Sequence, residues 1–167
     1  DSEGNITGYT ASSGKTTEVT LKTGTVTGAV FGGGKGEGTA TSGKEAKTYG
    51  DAVINLYGDA VAGGMYGGGD VNARLYEDAV LNLYGGTVGT SDAHADVFGG
   101  GLGAATNVEG DVTVNVGSKD YTGVTSVTLW GNVYGGSAKG NVNTGTTDTT
   151  PYTTTVDLYK GSVNGNV

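Results

Sequence analysis

A glycine triplet led by an apolar residue and an aromatic ring recurs along this chain, and the recurrence limits the fold more than any other feature. It reads TVTGAVFGGG over 25–34 and AVAGGMYGGG over 60–69. It returns, split by an insertion, as TVG at 87–89 and DVFGGG at 96–101. A fourth copy, TLWGNVYGGS, spans 128–137, and a fifth begins as SVNGNV at 162–167. Self-similarity at roughly 30–40 residues is the mark of a repeat architecture, in which each unit buries its apolar face only by stacking on its neighbours.

Each triplet follows an alternating segment: EVTL at 18–21, AVINLYG at 52–58, AVLNLYGG at 79–86, DVTVNVG at 111–117 and TVDLYKG at 155–161. Side chains alternate across a strand. One face therefore carries Val19/Leu21, Ile54/Leu56, Leu81/Leu83, Val114/Val116 and Val156/Leu158, and the other carries polar and aromatic groups. A second strand is predicted one turn later, with an inward set of Val26/Val30, Val61/Met65, Val88/Val97, Leu129/Val133 and Val163/Val167. Short pieces at 70–75 and 140–143 suggest a third. One unit offers only about four large inward aliphatics, worth about 1.5–3 kcal/mol each when buried. Ordering its residues costs about 1–2 kcal/mol apiece, so stacking is required.

The sequence therefore predicts an all-β parallel β-helix (β-solenoid), right-handed by the crossover preference, of about five coils with variable loops. The units are expected at 18–51, 52–78, 79–110, 111–154 and a truncated 155–167, after a lead-in or partial coil at 1–17. Ladders are expected along Asn55, Asn82 and Asn115, with Thr20 and Asp157 at the ends, and along Phe31, Tyr66, Phe98 and Tyr134. A β-sandwich of hairpins is the alternative fold. Against it, the repeated strands sit at like positions in each unit.

Composition supports strands: 35 glycines, one proline, no cysteine and 35% apolar residues, the large aliphatics mostly valine and leucine. The net charge of −8 argues against nucleic acid and anionic lipid as partners. No run approaches the roughly 20 apolar residues of a membrane helix, so no membrane insertion is expected. With no initiating Met and no signal peptide, the chain reads as a mature product or an excised piece.

The chemical motifs are sparse. The fragment at 99–104 satisfies a G-x-G-x-x-A fingerprint but is not followed by a helical pattern, which that site requires. No cofactor is expected, with Ca2+ or another divalent ion as a minor alternative. Gly67 to Asp70 comes nearest to a calcium-binding glycine repeat. The lone histidine lies in Asp92, Ala93, His94, Ala95, Asp96, whose alternation would put Asp92, His94 and Asp96 on one side as a metal site. Trp130, in the slot held by Thr27, Ala62, Gly89 and Asn164 in other units, joins outward Tyr57, Tyr84 and Tyr159 as rings able to stack on sugars. Asp78, Glu109 and Asp111 are the acids available to a polysaccharide-degrading enzyme. Threonines suggest ice binding, but in sequence they do not align from unit to unit.

The pattern of N-L-Y-G-G, T-V-x-G and V-Y-G-G-G, carried at 52–58, 60–69, 79–88, 96–101, 128–137 and 155–167, resembles the repeats of very large secreted bacterial surface proteins, including those of gut anaerobes, described as adhesin-like. That resemblance implies an extracellular or cell-surface stalk, fibre or adhesive face without catalysis. It implies host or neighbouring-cell glycans or proteins as partners, with specificity in the insertions at 90–95 and 118–126. An uncapped lower end would also favour end-to-end self-association.

Overall fold

The alternating segments fold as strands, and each lies beside its own equivalent one pass of the chain later. The computed structural model describes residues 15–145 and 150–167; most of the expected lead-in at 1–17 lies outside them. The first pass contributes β1 (Thr16–Leu21), β2 (Thr25–Val26), β3 (Val30–Phe31) and β4 (Ala46–Thr48). The second contributes β5 (Asp51–Leu56), β6 (Val61–Ala62), β7 (Met65–Tyr66) and β8 (Ala73–Leu75). β9 (Ala79–Leu83), β10 (Gly86–Val88), β11 (Val97–Phe98) and β12 (Asn107–Val108) follow, then β13 (Val112–Val116), β14 (Val127–Leu129) and β15 (Val133–Tyr134), then β16 (Thr154–Leu158) and β17 (Ser162–Val163).

These strands form four sheets, ordered β1-β5-β9-β13-β16, β17-β14-β10-β6-β2, β15-β11-β7-β3 and β12-β8-β4. Every pairing between named strands is parallel. Among the described residues there is no helix. This is an all-β fold of parallel strands in stacked sheets, as a β-solenoid requires. The predicted second strand divides at its central glycine into two strands in two sheets.

The register of the first sheet matches the sequence reading. Val19, Ile54, Leu81, Val114 and Val156 form one column, and Leu21, Leu56, Leu83, Val116 and Leu158 the next. Both face a shared core with Met65, Val88, Val97, Leu129 and Val133, and the central members of the two columns are fully buried. A smaller cluster of Ala52, Leu75, Ala79, Val108 and Val112 fills the space beside the fourth sheet.

The second sheet corrects one inward residue. Val26 pairs with Ala62, and Ala62 with Val88. Ala62, not Val61, therefore faces the core, and Val61 aligns with Thr25 and Thr87 on the outer face. The turn after Leu56 is one residue longer than those after Leu21, Leu83 and Leu158, and Ala60 in it is also buried. The step from the inner leucine becomes six there, which flips β6, while Met65 on β7 returns to register with Val30. At the other end, Val167 is 70% exposed, since nothing described stacks beneath it.

The triplets mark where backbone packs on backbone. The Gly32 amide donates to Tyr66 O, Gly67 to Phe98 O and Gly99 to Tyr134 O; the Gly33, Gly68 and Gly100 amides donate to Gly68, Gly100 and Gly136 carbonyls. A Cβ on Gly32, Gly67 or Gly99 would run into the carbonyl oxygen of Gly67, Gly99 or Gly135 respectively, closer than real side chains ever lie. Glycine is needed there for close approach.

Two expectations follow. Leu83→Ala should lower the unfolding free energy by about 2–5 kcal/mol in urea titration. Gly67→Ala should also destabilise, whereas Gly136→Ala, with nothing within 4 Å of the new methyl, should stay within about 1 kcal/mol of the parent. The reverse order for the two glycines would contradict the stacked-carbonyl account.

Candidate functional site

The outer face of the first sheet carries the densest array of polar and aromatic groups. Asn55, Asn82 and Asn115 stack in register. Asn82 Nδ2 donates to Asn55 Oδ1 at 3.0 Å, and Asn115 Nδ2 donates to Asn82 Oδ1 at 2.9 Å. Thr20 stacks on Asn55 in register, as expected, but the hydrogen bonds pass to Glu18: Asn55 Nδ2 donates to Glu18 Oε1 at 2.8 Å, and Thr20 Oγ1 donates to the same oxygen at 3.0 Å. At the other end Asp157 lies beneath Asn115, as expected.

Beside this ladder runs the tyrosine column. The amides of Tyr57, Tyr84, Gly117 and Tyr159 donate to Leu21, Leu56, Leu83 and Val116 carbonyls, so these four residues are equivalents, with Lys22 above them. Tyr57 and Tyr84 lie 5.1 Å apart and tilted. Tyr121, from the 118–126 insertion, stands edge-on to Tyr57 at 5.9 Å and tilted over Tyr84 at 4.8 Å. Burial, then the neighbouring rings, holds the Tyr57 and Tyr84 hydroxyls above the ordinary tyrosine value, so both stay neutral. A cleft of about 520 Å³ opens between Tyr57, Tyr121, Glu18, Thr20 and Lys22. Sequence reasoning flagged the insertion but missed Tyr121; the signal was a tyrosine four residues after the glycine that replaces one.

Trp130 lies elsewhere, on the second sheet. Its amide donates to Val88 O, the Gly63 amide to Val26 O and the Gly89 amide to Ala62 O. Its equivalents are therefore Thr27, Gly63, Gly89 and Asn164, with Gly63 replacing the expected Ala62. Its indole stacks on His94 with centroids 6.3 Å apart. Trp130 thus does not share a face with the three tyrosines. The predicted Asp92, His94, Asp96 set is not assembled: Asp96 Oδ1 accepts from the Asn132 amide at 2.7 Å and from its side chain at 3.0 Å, while Ser91 donates to Asp92. Among the described residues no three His, Cys, Asp or Glu side chains could hold a metal ion.

The third sheet carries the aromatic ladder expected from sequence. Phe31–Tyr66, Tyr66–Phe98 and Phe98–Tyr134 stack at 5.0, 5.3 and 4.8 Å. Threonines align better than the sequence suggested: Thr25, Val61, Thr87, Thr128 and Ser162 share one outer column of the second sheet. The adjoining column of Thr27, Gly63, Gly89, Trp130 and Asn164 breaks the flat second rank that ice binding would need.

The acids nominated for catalysis form a third ladder, at the corner before the first sheet. Asp78 N donates to Asp51 Oδ1 at 3.3 Å and Asp111 N to Asp78 Oδ1 at 2.8 Å; the Thr153 amide and hydroxyl donate to Asp111 Oδ1. Glu109 is bonded instead to Arg74 Nη1 at 2.9 Å. Burial, joined by the Asp111 and Asp51 carboxylates, holds the Asp78 carboxyl above its ordinary value against the opposing Asp111 amide. Glu77 is raised for the same kind of reason. A raised carboxyl would suit a general acid, but Asp78 is already bonded to the next strand's backbone.

Compared with protein-family models, curated proteins and solved structures, the chain matches none. The residues themselves must carry the functional argument.

The Asp78 carboxyl binds its proton more tightly folded than unfolded. Its contribution to stability is fully present below the ordinary aspartate pKa and is lost as pH rises through the raised folded value. Asp78→Asn, which keeps an acceptor for the Asp111 amide and stays neutral, should therefore melt higher than the parent at pH 7. The gap should close as pH falls below the carboxylate range in thermal unfolding followed by circular dichroism. A gap independent of pH would contradict the raised carboxyl.

Proposed function

We propose that this chain is a structural and adhesive segment of a bacterial extracellular or cell-surface repeat protein, built as five right-handed solenoid coils and without catalysis. What supports the reading is the use to which the outward polar groups are put. Asparagines donate to asparagines, aspartates accept from the next strand's backbone, and rings stack on rings. Groups tied to their own equivalents hold a rod together; they are not poised for bond cleavage. Exposed tyrosines and the two insertions supply an adhesive surface for glycans or proteins on host or neighbouring cells.

The test is incubation with a panel of plant, algal and bacterial polysaccharides, read both for retention on the insoluble forms and for new reducing ends. Retention without products is expected. Products that disappear in Asp78→Asn or Asp111→Asn would replace this reading with a polysaccharide-degrading enzyme.

One observation favours an additional role as a self-stacking filament subunit. The edge formed by β16 leaves Leu158 54% exposed, and Val133, Tyr134, Val156 and Val167 line a cleft of about 750 Å³ nearby. Val156 and Leu158 have the same spacing as Val19 and Leu21 on β1, so a second copy would continue both columns. Sedimentation should then show mass increasing with concentration, abolished by Leu158→Lys. A single monomeric species throughout would remove this role.

A further inference from the structure

The tyrosine column has a gap, and the asparagine ladder ends where the gap lies. Gly117 occupies the position held by Tyr57, Tyr84 and Tyr159 in the neighbouring passes. With no ring there, Tyr84 and Tyr159 stand two strand spacings apart, roughly 9–10 Å. The space forms a cleft of about 490 Å³, with Asn115 on its floor and the 118–121 segment on one side. Ser118 Oγ accepts the amides of Asp120 and Tyr121 at 3.1 and 3.0 Å, fixing the turn that places the Tyr121 ring over Tyr84. Lys119 and Asp120 pair at 2.8 Å at the rim.

The hydrogen-bond direction matters as much as the shape. Every amide of the ladder donates upward, so one of the two Asn115 Nδ2 hydrogens goes to Asn82. The register partner of Asn115 on the other side is Asp157, a carboxylate with no hydrogen to give to Asn115 Oδ1. Tyr159 Oη donates to Asp157 Oδ2 at 3.0 Å, which leaves the other carboxylate oxygen as an acceptor. The floor is therefore rich in acceptors, and the walls are two aromatic rings.

We propose that this slot binds one neutral pyranose unit of a glycan. Van der Waals contact with a ring on each side takes up about 3.5–4.0 Å twice, which suits a puckered sugar ring between Tyr84 and Tyr159. Its axial hydrogens pack on the aromatic faces, and its hydroxyls donate to Asn115 Oδ1 and Asp157. Asp157 and Asp120 disfavour an anionic sugar. The assignment rests on the adhesive reading above and names its ligand class.

Titration calorimetry with cellohexaose, mannohexaose and oligogalacturonate tests it. The parent protein should bind at least one of the neutral hexasaccharides and not oligogalacturonate. Tyr159→Ala removes one wall and should weaken binding by about tenfold or more. Asp157→Asn supplies an amide to Asn115 Oδ1 and completes the ladder, so it should raise the melting temperature and yet weaken binding by about tenfold or more, a divergence that a purely structural residue would not produce. Tyr134→Ala, on the other aromatic ladder, should leave affinity unchanged. Absence of neutral-sugar binding, preference for oligogalacturonate, or affinity indifferent to both slot variants would overturn the assignment. Binding that survives both variants leaves adhesion standing at another place, whereas shortened oligosaccharides in the same mixtures would overturn the non-catalytic reading and leave the slot as a subsite.

Discussion

Parallel pairing of each strand with its own equivalent sets the terms for everything else in this molecule. Hydrogen bonds between successive passes hold like positions about 4.8 Å apart, so a residue's closest outward neighbours are its counterparts above and below. A column must then be compatible with itself. Leu56 over Leu83 over Val116 satisfies that by apolar contact in the core. Asn55 over Asn82 over Asn115 satisfies it because an amide can donate and accept at once. Gly32, Gly67 and Gly99 satisfy it by absence, letting backbone meet backbone.

Charge is the hard case, since stacking a carboxylate on its copy brings like charges together. The corner aspartates solve it by turning each carboxylate toward the next strand's amide, a charge-assisted bond that does not need a counter-ion. On the fourth sheet Lys47 and Arg74 stack in register, and glutamates beside the column supply the opposite charge. Arg74 on β8 donates through Nε to Glu45 Oε1 at 3.1 Å and through Nη1 to Glu109 Oε1 at 2.9 Å, joining three passes of the chain. Its guanidinium also lies 5.6 Å from the centre of the Tyr76 ring. Burial, with the neighbouring carboxylates adding to it, still holds the Asp78 and Glu77 carboxyls above their ordinary values.

The columns of the first sheet could be read from sequence because each strand keeps strict alternation and the aliphatics fall at matching places. Register was lost where a turn changed length by a single residue. Val61 and Ala62 are both apolar, so nothing in the local pattern says which faces inward; only pairing to Val26 and Val88 decides it. Threonine alignment failed to emerge for the same reason, since the column passes through Val61. The contact of His94 with Trp130 was likewise hidden, because an insertion brings together residues far apart in sequence. What local alternation cannot encode is the path of an insertion across a neighbouring pass.

The same logic says where such a molecule can recognise anything. In an unbroken ladder each ring face and each amide is used by its neighbour, so a perfect column offers a ligand little beyond its edges. Phe31, Tyr66, Phe98 and Tyr134 illustrate this, the two inner rings stacked on both sides and the last ring 41% exposed. Recognition therefore belongs at interruptions, where a residue has been taken away. Gly117 leaves the column without a ring, and Tyr84 and Tyr159 line the cleft beside it. Asp157 withdraws a donor and leaves an acceptor without its partner. Both interruptions lie on adjoining columns between the same strands, next to an insertion that the stack does not need for its own pairing. Structural regularity supplies the walls of the slot, and its local failure supplies the space and the chemistry inside.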